Sequence, residues 1–134
     1  VGTRPEAIKL APLAEVLAAR GHRLQLALTG QHPNLDPGAF GLGNAALVRL
    51  GCRAGKDPRH HADLVASALH PGLAAGPPDL VVVQGDTSSA LGGALGASAA
   101  GIPLAHVEAG LRSFDAALPW PEEGNRVAID ALAD

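Results

Sequence analysis

Four short segments of this chain combine acids, bases and glycines at spacings that can do chemistry. They are Gly2-Thr3-Arg4-Pro5-Glu6 with Lys9, Thr29-Gly30-Gln31-His32, Gly85-Asp86-Thr87, and His106 through Arg112. Asp86 follows the apolar run Leu80–Gln84, and Glu108 closes the run Ile102–Val107. With Glu122 and Glu123 at the start of a later helix, these acids can meet at one sheet edge, where mutual repulsion separates their proton affinities. The plainer alternatives are an N-cap for Asp86 and dipole complementarity for Glu122 and Glu123. Gly2-Thr3-Arg4 at a helix start offers N–H groups and a guanidinium to a phosphate, or else is an ordinary capped helix with Arg4 in water.

Other segments carry less. Gly51 to Asp57 looks like a phosphate loop but has the wrong spacing, no Ser or Thr after Lys56, and no convincing strand before it, so it reads as a surface turn. His60, His61 and His70 form no credible metal constellation, and no metal is expected. His106, inside a strand, reads as a hydrogen-bonded core or rim residue. The single Cys52 rules out an internal disulfide framework.

Composition narrows the classes. The chain has 134 residues, 47% hydrophobic and 17% charged, which suits one domain over 1–134. Ten basic against thirteen acidic side chains supply no field for nucleic acid or an anionic membrane, so neither is an expected partner. The charge is uneven: residues 1–67 carry eight basic and five acidic groups, residues 68–134 two and eight. Acidic chemistry therefore belongs to the second half. No apolar run reaches the ~20 residues of a membrane span, and no basic-then-apolar leader opens the chain. A cytoplasmic protein is the resulting expectation.

These residues need elements to hold them. Thr3, Pro5 and Glu6 predict a helix start, with Leu10, Leu13, Ala14 and Leu17 on one face, Gly21 as the stop, and a kink or loose turn at Pro12. Strands are expected at Arg23–Leu28, Leu80–Gln84 and Ile102–Val107, and helices from about Ala62, from Thr87 to about Ala100, and from Pro121 onward. Residues 33 to 61 show no sustained period beyond a short apolar piece at Ala45–Leu50. The unbroken run at Leu80–Gln84 suits a strand buried on both faces, and the alternation of elements predicts an α/β fold, a doubly wound parallel sheet. A helix this close to Val1 needs a strand before it, so a fragment with an incomplete first strand is expected.

Five segments together resemble one family. Gly2 through Lys9, Thr29-Gly30-Gln31-His32, Gln84-Gly85-Asp86-Thr87, His106 through Arg112, and Pro119 through Arg126 closely resemble the non-hydrolysing UDP-N-acetylglucosamine 2-epimerases, in order and in spacing. Residues 33–75 match poorly, and Gly124 stands where Ala is the more expected residue. The resemblance implies two Rossmann-like domains facing each other across a cleft, as in GT-B glycosyltransferases, of which this chain is most of the N-terminal one. It implies an isomerase that interconverts UDP-GlcNAc and UDP-ManNAc for surface polysaccharide by eliminating UDP and re-adding it through 2-acetamidoglucal, without a cofactor.

Carried over by motif, Asp86, Glu108 and Glu122 are the acid/base candidates. Arg4 and Lys9 serve the diphosphate or position neighbouring acids. Arg126, four residues after Glu122, pairs with it and holds it ionised, while Glu123 is expected to be solvated. Gln31 and His32 approach a second UDP-GlcNAc acting as activator, and the full-length enzyme is expected to be a homodimer. Two rival readings remain: a truncated, non-catalytic nucleotide-sugar-binding domain, and a GT-B glycosyltransferase domain, which would need an acceptor.

Overall fold

Glu6 starts the first helix much as the capping-box pattern requires. Its carboxylate accepts the Gly2 and Thr3 N–H groups, the latter at 2.8 Å, which satisfies donors that a helix N-terminus leaves open. In the computed structural model, which describes residues 1–134, α1 spans Arg4–Ala19 and runs through Pro12 without interruption. Strand β1 follows at Gln25–Leu28, then a 3₁₀ turn at Pro37–Phe40 capped by the Asp36 side chain. β2 spans Ala46–Arg49 and α2 Pro58–Ala75, capped by Asp57. β3 is Val81–Gln84, α3 Ser88–Ala99, β4 Leu104–Val107 and α4 Glu122–Leu132.

All strand pairing is parallel. β1 pairs with β2, Gln25 opposite Ala46, and β3 pairs with β4, Val81 opposite Leu104. Beside β1 the first residues continue the ladder: the Val1 amino group donates to the Ala27 carbonyl (2.8 Å), and the Thr29 N–H donates to that of Val1 (3.0 Å). The expected alternation of elements omits β2, a correction to the sequence reading. All four of its residues are exposed, so it lacks the buried period by which a strand is recognised. α2 also begins four residues before the expected Ala62, at the Asp57–Pro58 start signal.

With so few aromatics, packing relies on small residues. One core joins Val83, Ala90, Ala94, Ala97, Leu104 and Ile129; the other joins Ala7, Leu26, Leu28, Leu35 and Leu42. α3 lies against α2 so closely that a Cβ on Gly92 would stand 2.6 Å from the Ala62 carbonyl oxygen and from Val65 Cβ. That approach anchors the start of α3, and with it the turn carrying Asp86. The strands form two separate two-stranded sheets, and the Thr29–Ser89 hydroxyl contact (2.8 Å) ties the carboxyl end of β1 to the start of α3, which follows β3.

Candidate active site

Thr87, not Asp86, caps α3: its hydroxyl oxygen accepts the Ala90 N–H at 3.0 Å. The N-cap alternative for Asp86 is thereby removed. Its carboxylate instead pairs with Arg126 from α4, and the same guanidinium reaches the Glu108 carbonyl at 3.4 Å. Asn125 supports the turn by donating its side-chain amide to the Asp86 carbonyl at 2.8 Å. Asp86 and Glu108, remote in sequence, are therefore held by one helix.

Glu108 has its own partners. Lys9 of α1 and the Gln84 side-chain amide both donate to Glu108 Oε2. The Lys9 hydrogen bond is the leading reason that its carboxyl is held below the usual carboxylate range, outweighing partial burial, with the charges of Lys9 and Arg126 adding to it. Glu108 is thus ionised near neutral pH, the state a general base needs. Its φ of +67° lies in the left-handed region, which costs a non-glycine residue about 1–3 kcal/mol and persists only where surroundings impose it. Gly85 and Gly110, with φ of +72° and +77°, make the flanking turns.

Several expectations change here. The two acids at the head of α4 exchange roles: Arg126 pairs with Asp86 rather than Glu122, and Glu122 is half-buried without a hydrogen bond or ion pair. Glu123, expected in water, is buried. It accepts Arg112 Nε–H at 2.7 Å and the Ser113 and Phe114 N–H groups at 3.0 and 3.2 Å, which hold its carboxyl below the usual range, the Ser113 bond contributing most. A cavity of about 170 Å³ beside this strap is lined by Asp86, Arg112, Ser113, Glu123 and Arg126 among others. An i,i+4 spacing brings two residues onto one face but does not choose between rival partners.

The Gly2 and Thr3 N–H groups, expected to be open to a phosphate, are taken by Glu6, whose other oxygen accepts the Thr87 hydroxyl. A carboxylate of the helix itself fills the anion position. The Thr3 hydroxyl is buried without a partner. Arg4 is exposed, 5.8 Å from the Phe40 ring centroid, and with His32 lines an open cavity of about 450 Å³ beyond β1. Gln31 turns inward, its carbonyl oxygen accepting the Ser89 hydroxyl at 2.6 Å; Ser89 also meets Thr29 at 2.8 Å and His61 at 3.3 Å. Burial lowers the proton affinity of His61.

The predicted residues therefore fall into two groups, Asp86, Glu108, Lys9 and Arg126 at one end and Arg4 with His32 at the other. Sequence reasoning missed Gln84, Asn125, Asp130 and the inward role of Glu123. Gln84 and Asn125 stand inside the matched segments, which was the available signal. No group of three or more His, Cys, Asp or Glu side chains is arranged to hold a metal ion, and no helix is long and apolar enough to cross a membrane.

Comparison with known proteins places the chain in a family. A family model described as UDP-N-acetylglucosamine 2-epimerase matches residues 15–134. The chain belongs to this family. The UDP-N-acetylglucosamine 2-epimerase of Salmonella typhimurium is 37% identical over 147 residues, covering 98% of this chain and 36% of the relative. That of Methanocaldococcus jannaschii is 40% identical, covering 99% and 37%. Among solved structures, the M. jannaschii epimerase in complex with UDP-GlcNAc and UDP has a TM-score of 0.87 at 39% identity, covering 98% of this chain and 37% of that one. The Neisseria meningitidis epimerase bound to UDP-GlcNAc has a TM-score of 0.84 at 33% identity, with the same shares covered. The chain thus spans a little over a third of these epimerases, and its α/β architecture with parallel strands is the N-terminal part of their GT-B fold.

Proposed function

We propose that the full-length protein is a non-hydrolysing UDP-N-acetylglucosamine 2-epimerase interconverting UDP-GlcNAc and UDP-ManNAc. The observation that carries this reading is the joining of Asp86 and Glu108, from neighbouring strand ends, through Arg126. C2 of the sugar is not adjacent to a carbonyl, so direct loss of its proton leaves an unstabilised carbanion. Elimination avoids that. The C1–O bond to UDP breaks with its electron pair leaving on the diphosphate, the C2 proton passes to a base, and 2-acetamidoglucal remains. Re-addition of UDP at C1, with a proton delivered to the other face of C2, gives the epimer. Acids on both faces and a neutralised diphosphate are required.

Asp86, Glu108 and Glu122 are the proposed acids and bases. Glu108, kept ionised by Lys9, suits proton abstraction; Glu122, with no partner of its own, is free to meet substrate. Lys9 serves as the positioning cation for Glu108. Arg4, at the open cavity, is assigned to nucleotide-sugar charge, and Gln31 and His32 to the loop that meets an activating UDP-GlcNAc, with His32 facing the cavity and Gln31 bracing the loop from inside through Ser89. A cytoplasmic homodimer supplying surface polysaccharide completes the reading. The test is to incubate the full-length protein with UDP-GlcNAc in deuterated water. UDP-ManNAc carrying deuterium at C2 is expected; free ManNAc with UDP would indicate hydrolysis, and sugar transfer only to an added acceptor would indicate a glycosyltransferase.

A further inference from the structure

His106 is absent from the acid/base roles above, yet it is tied into the site from both ring nitrogens. Its side chain, 1% exposed, projects from β4 between the turn that carries Asp86 and helix α4. Nε2–H donates to the Gly85 carbonyl at 2.7 Å, and Nδ1 meets Asp130 Oδ1 at 2.6 Å. A carbonyl only accepts, so Nε2–H is the donor toward Gly85, and Nδ1 faces the Asp130 carboxylate. The other oxygen, Asp130 Oδ2, accepts the Gly110 N–H at 3.1 Å.

The chain of contacts therefore runs from Gly85, the residue before Asp86, through His106 and Asp130, to Gly110, two residues after Glu108. Gly85, Glu108 and Gly110 all have left-handed φ. The Gly85 N–H closes the β3–β4 ladder on the Val107 carbonyl at 3.0 Å, and beyond that last rung the left-handed turns take their geometry from whatever braces them. We propose that His106 and Asp130 are a positioning pair, a buried strut that sets the separation of the Asp86 and Glu108 carboxylates for the proton transfers at C2. The proposal rests on the epimerase reading for its chemistry and on the three contacts for its geometry.

The test uses the full-length protein and three variants. His106→Leu removes both contacts and is expected to lower kcat about 100-fold with KM changed by less than about threefold, since small misplacement penalises the transition state more than binding. His106→Gln, whose amide can still donate to the Gly85 carbonyl, restores part of that loss. Asp130→Ala removes the acceptor from both the ring and the Gly110 N–H, so kcat falls and the Gly110 amide exchanges with solvent faster. Wild-type kcat in folded His106→Leu or Asp130→Ala overturns the proposal; should His106→Leu not fold, Asp130→Ala decides. A full-length protein without turnover on UDP-GlcNAc refutes the epimerase reading, and Gly110 exchange then judges the strut. Protection in the unsubstituted protein that Asp130→Ala abolishes supports it, and equal exchange in both overturns it.

Discussion

The carboxyl ends of β3 and β4 and the carboxyl end of β1 are neighbours with opposite electrostatic character. At β3 and β4 the charged groups other than Glu122 are engaged: Asp86 with Arg126, Glu108 with Lys9, Glu123 with Arg112, His106 with Asp130. Beyond β1, Arg4 and His32 line a cavity of about 450 Å³ and take part in none of these pairs. A group that moves protons works best when its surroundings are already oriented, because reorientation during the reaction costs barrier height. A group that binds a mobile anion needs an unfilled place for it. The first region suits chemistry and the second suits binding.

Substitutions that strike one region only are the strongest way to break this contrast. Asp86→Asn and Glu108→Gln in the full-length protein are each expected to lower kcat by about 10²–10⁴-fold, the usual worth of a positioned acid or base. Deuterium entry at C2 checks it, and unchanged exchange removes the substituted residue from catalysis. Arg4→Ala is expected to act on KM instead, raising it about tenfold, the worth of one lost charge-assisted contact, with kcat nearly unchanged. If Arg4→Ala instead reduces kcat as Asp86→Asn does, the two ends are one site and the division fails.

The seam between the regions is Gly2. A Cβ there would collide with Ser89 Oγ and stand 2.6 Å from Thr29 Oγ1. Gly2→Ala should therefore destabilise the fold by about 1–3 kcal/mol, the range for overpacking a filled site, read as a lowered midpoint in urea. Lys9→Met, breaking a partly exposed pair, should shift that midpoint by less than about 1 kcal/mol while still reducing turnover through Glu108. A stability loss as large as that of Gly2→Ala would make the pair structural rather than catalytic.

The smallest effects are those of pH, which share one sign, a loss toward acid, and separate the groups by window. Glu108 and Glu123 have depressed folded proton affinities, so their stabilisation is full above 4.5 and disappears as pH falls through their lower folded values. His61 is depressed by burial. Below 6.5 the unfolded chain takes up a proton that the folded chain resists, so stability declines from there toward acid. Urea midpoints from pH 7.5 to 5 should fall in the unsubstituted protein and fall less in His61→Gln. An unchanged slope would assign the decline to another group.

Much of the fold was legible because its signals are local. The Glu6 box at α1, the apolar run of β3 and the Thr87 start of α3 each lie within a few residues of the structure they specify. β2 escaped because its residues face solvent, where burial imposes no period. The exchange between Glu122 and Glu123 was also unreadable. Adjacent residues on a helix point about 100° apart, and only the path of the irregular loop before α4, which brings Arg112, Ser113 and Phe114 onto Glu123, decides which carboxylate turns inward.

Residue order alone thus determined the helices, the main strands, the family and the short segments in which acids and bases stand at strand ends. Tertiary packing decided the partners: that Arg126 meets Asp86, that Glu6 occupies the amides at the start of α1, and that His106 bridges Gly85 and Asp130. The reason is range. Backbone preference and burial period act over a few residues, whereas an ion pair is chosen by distances that exist only after helices and strands have packed.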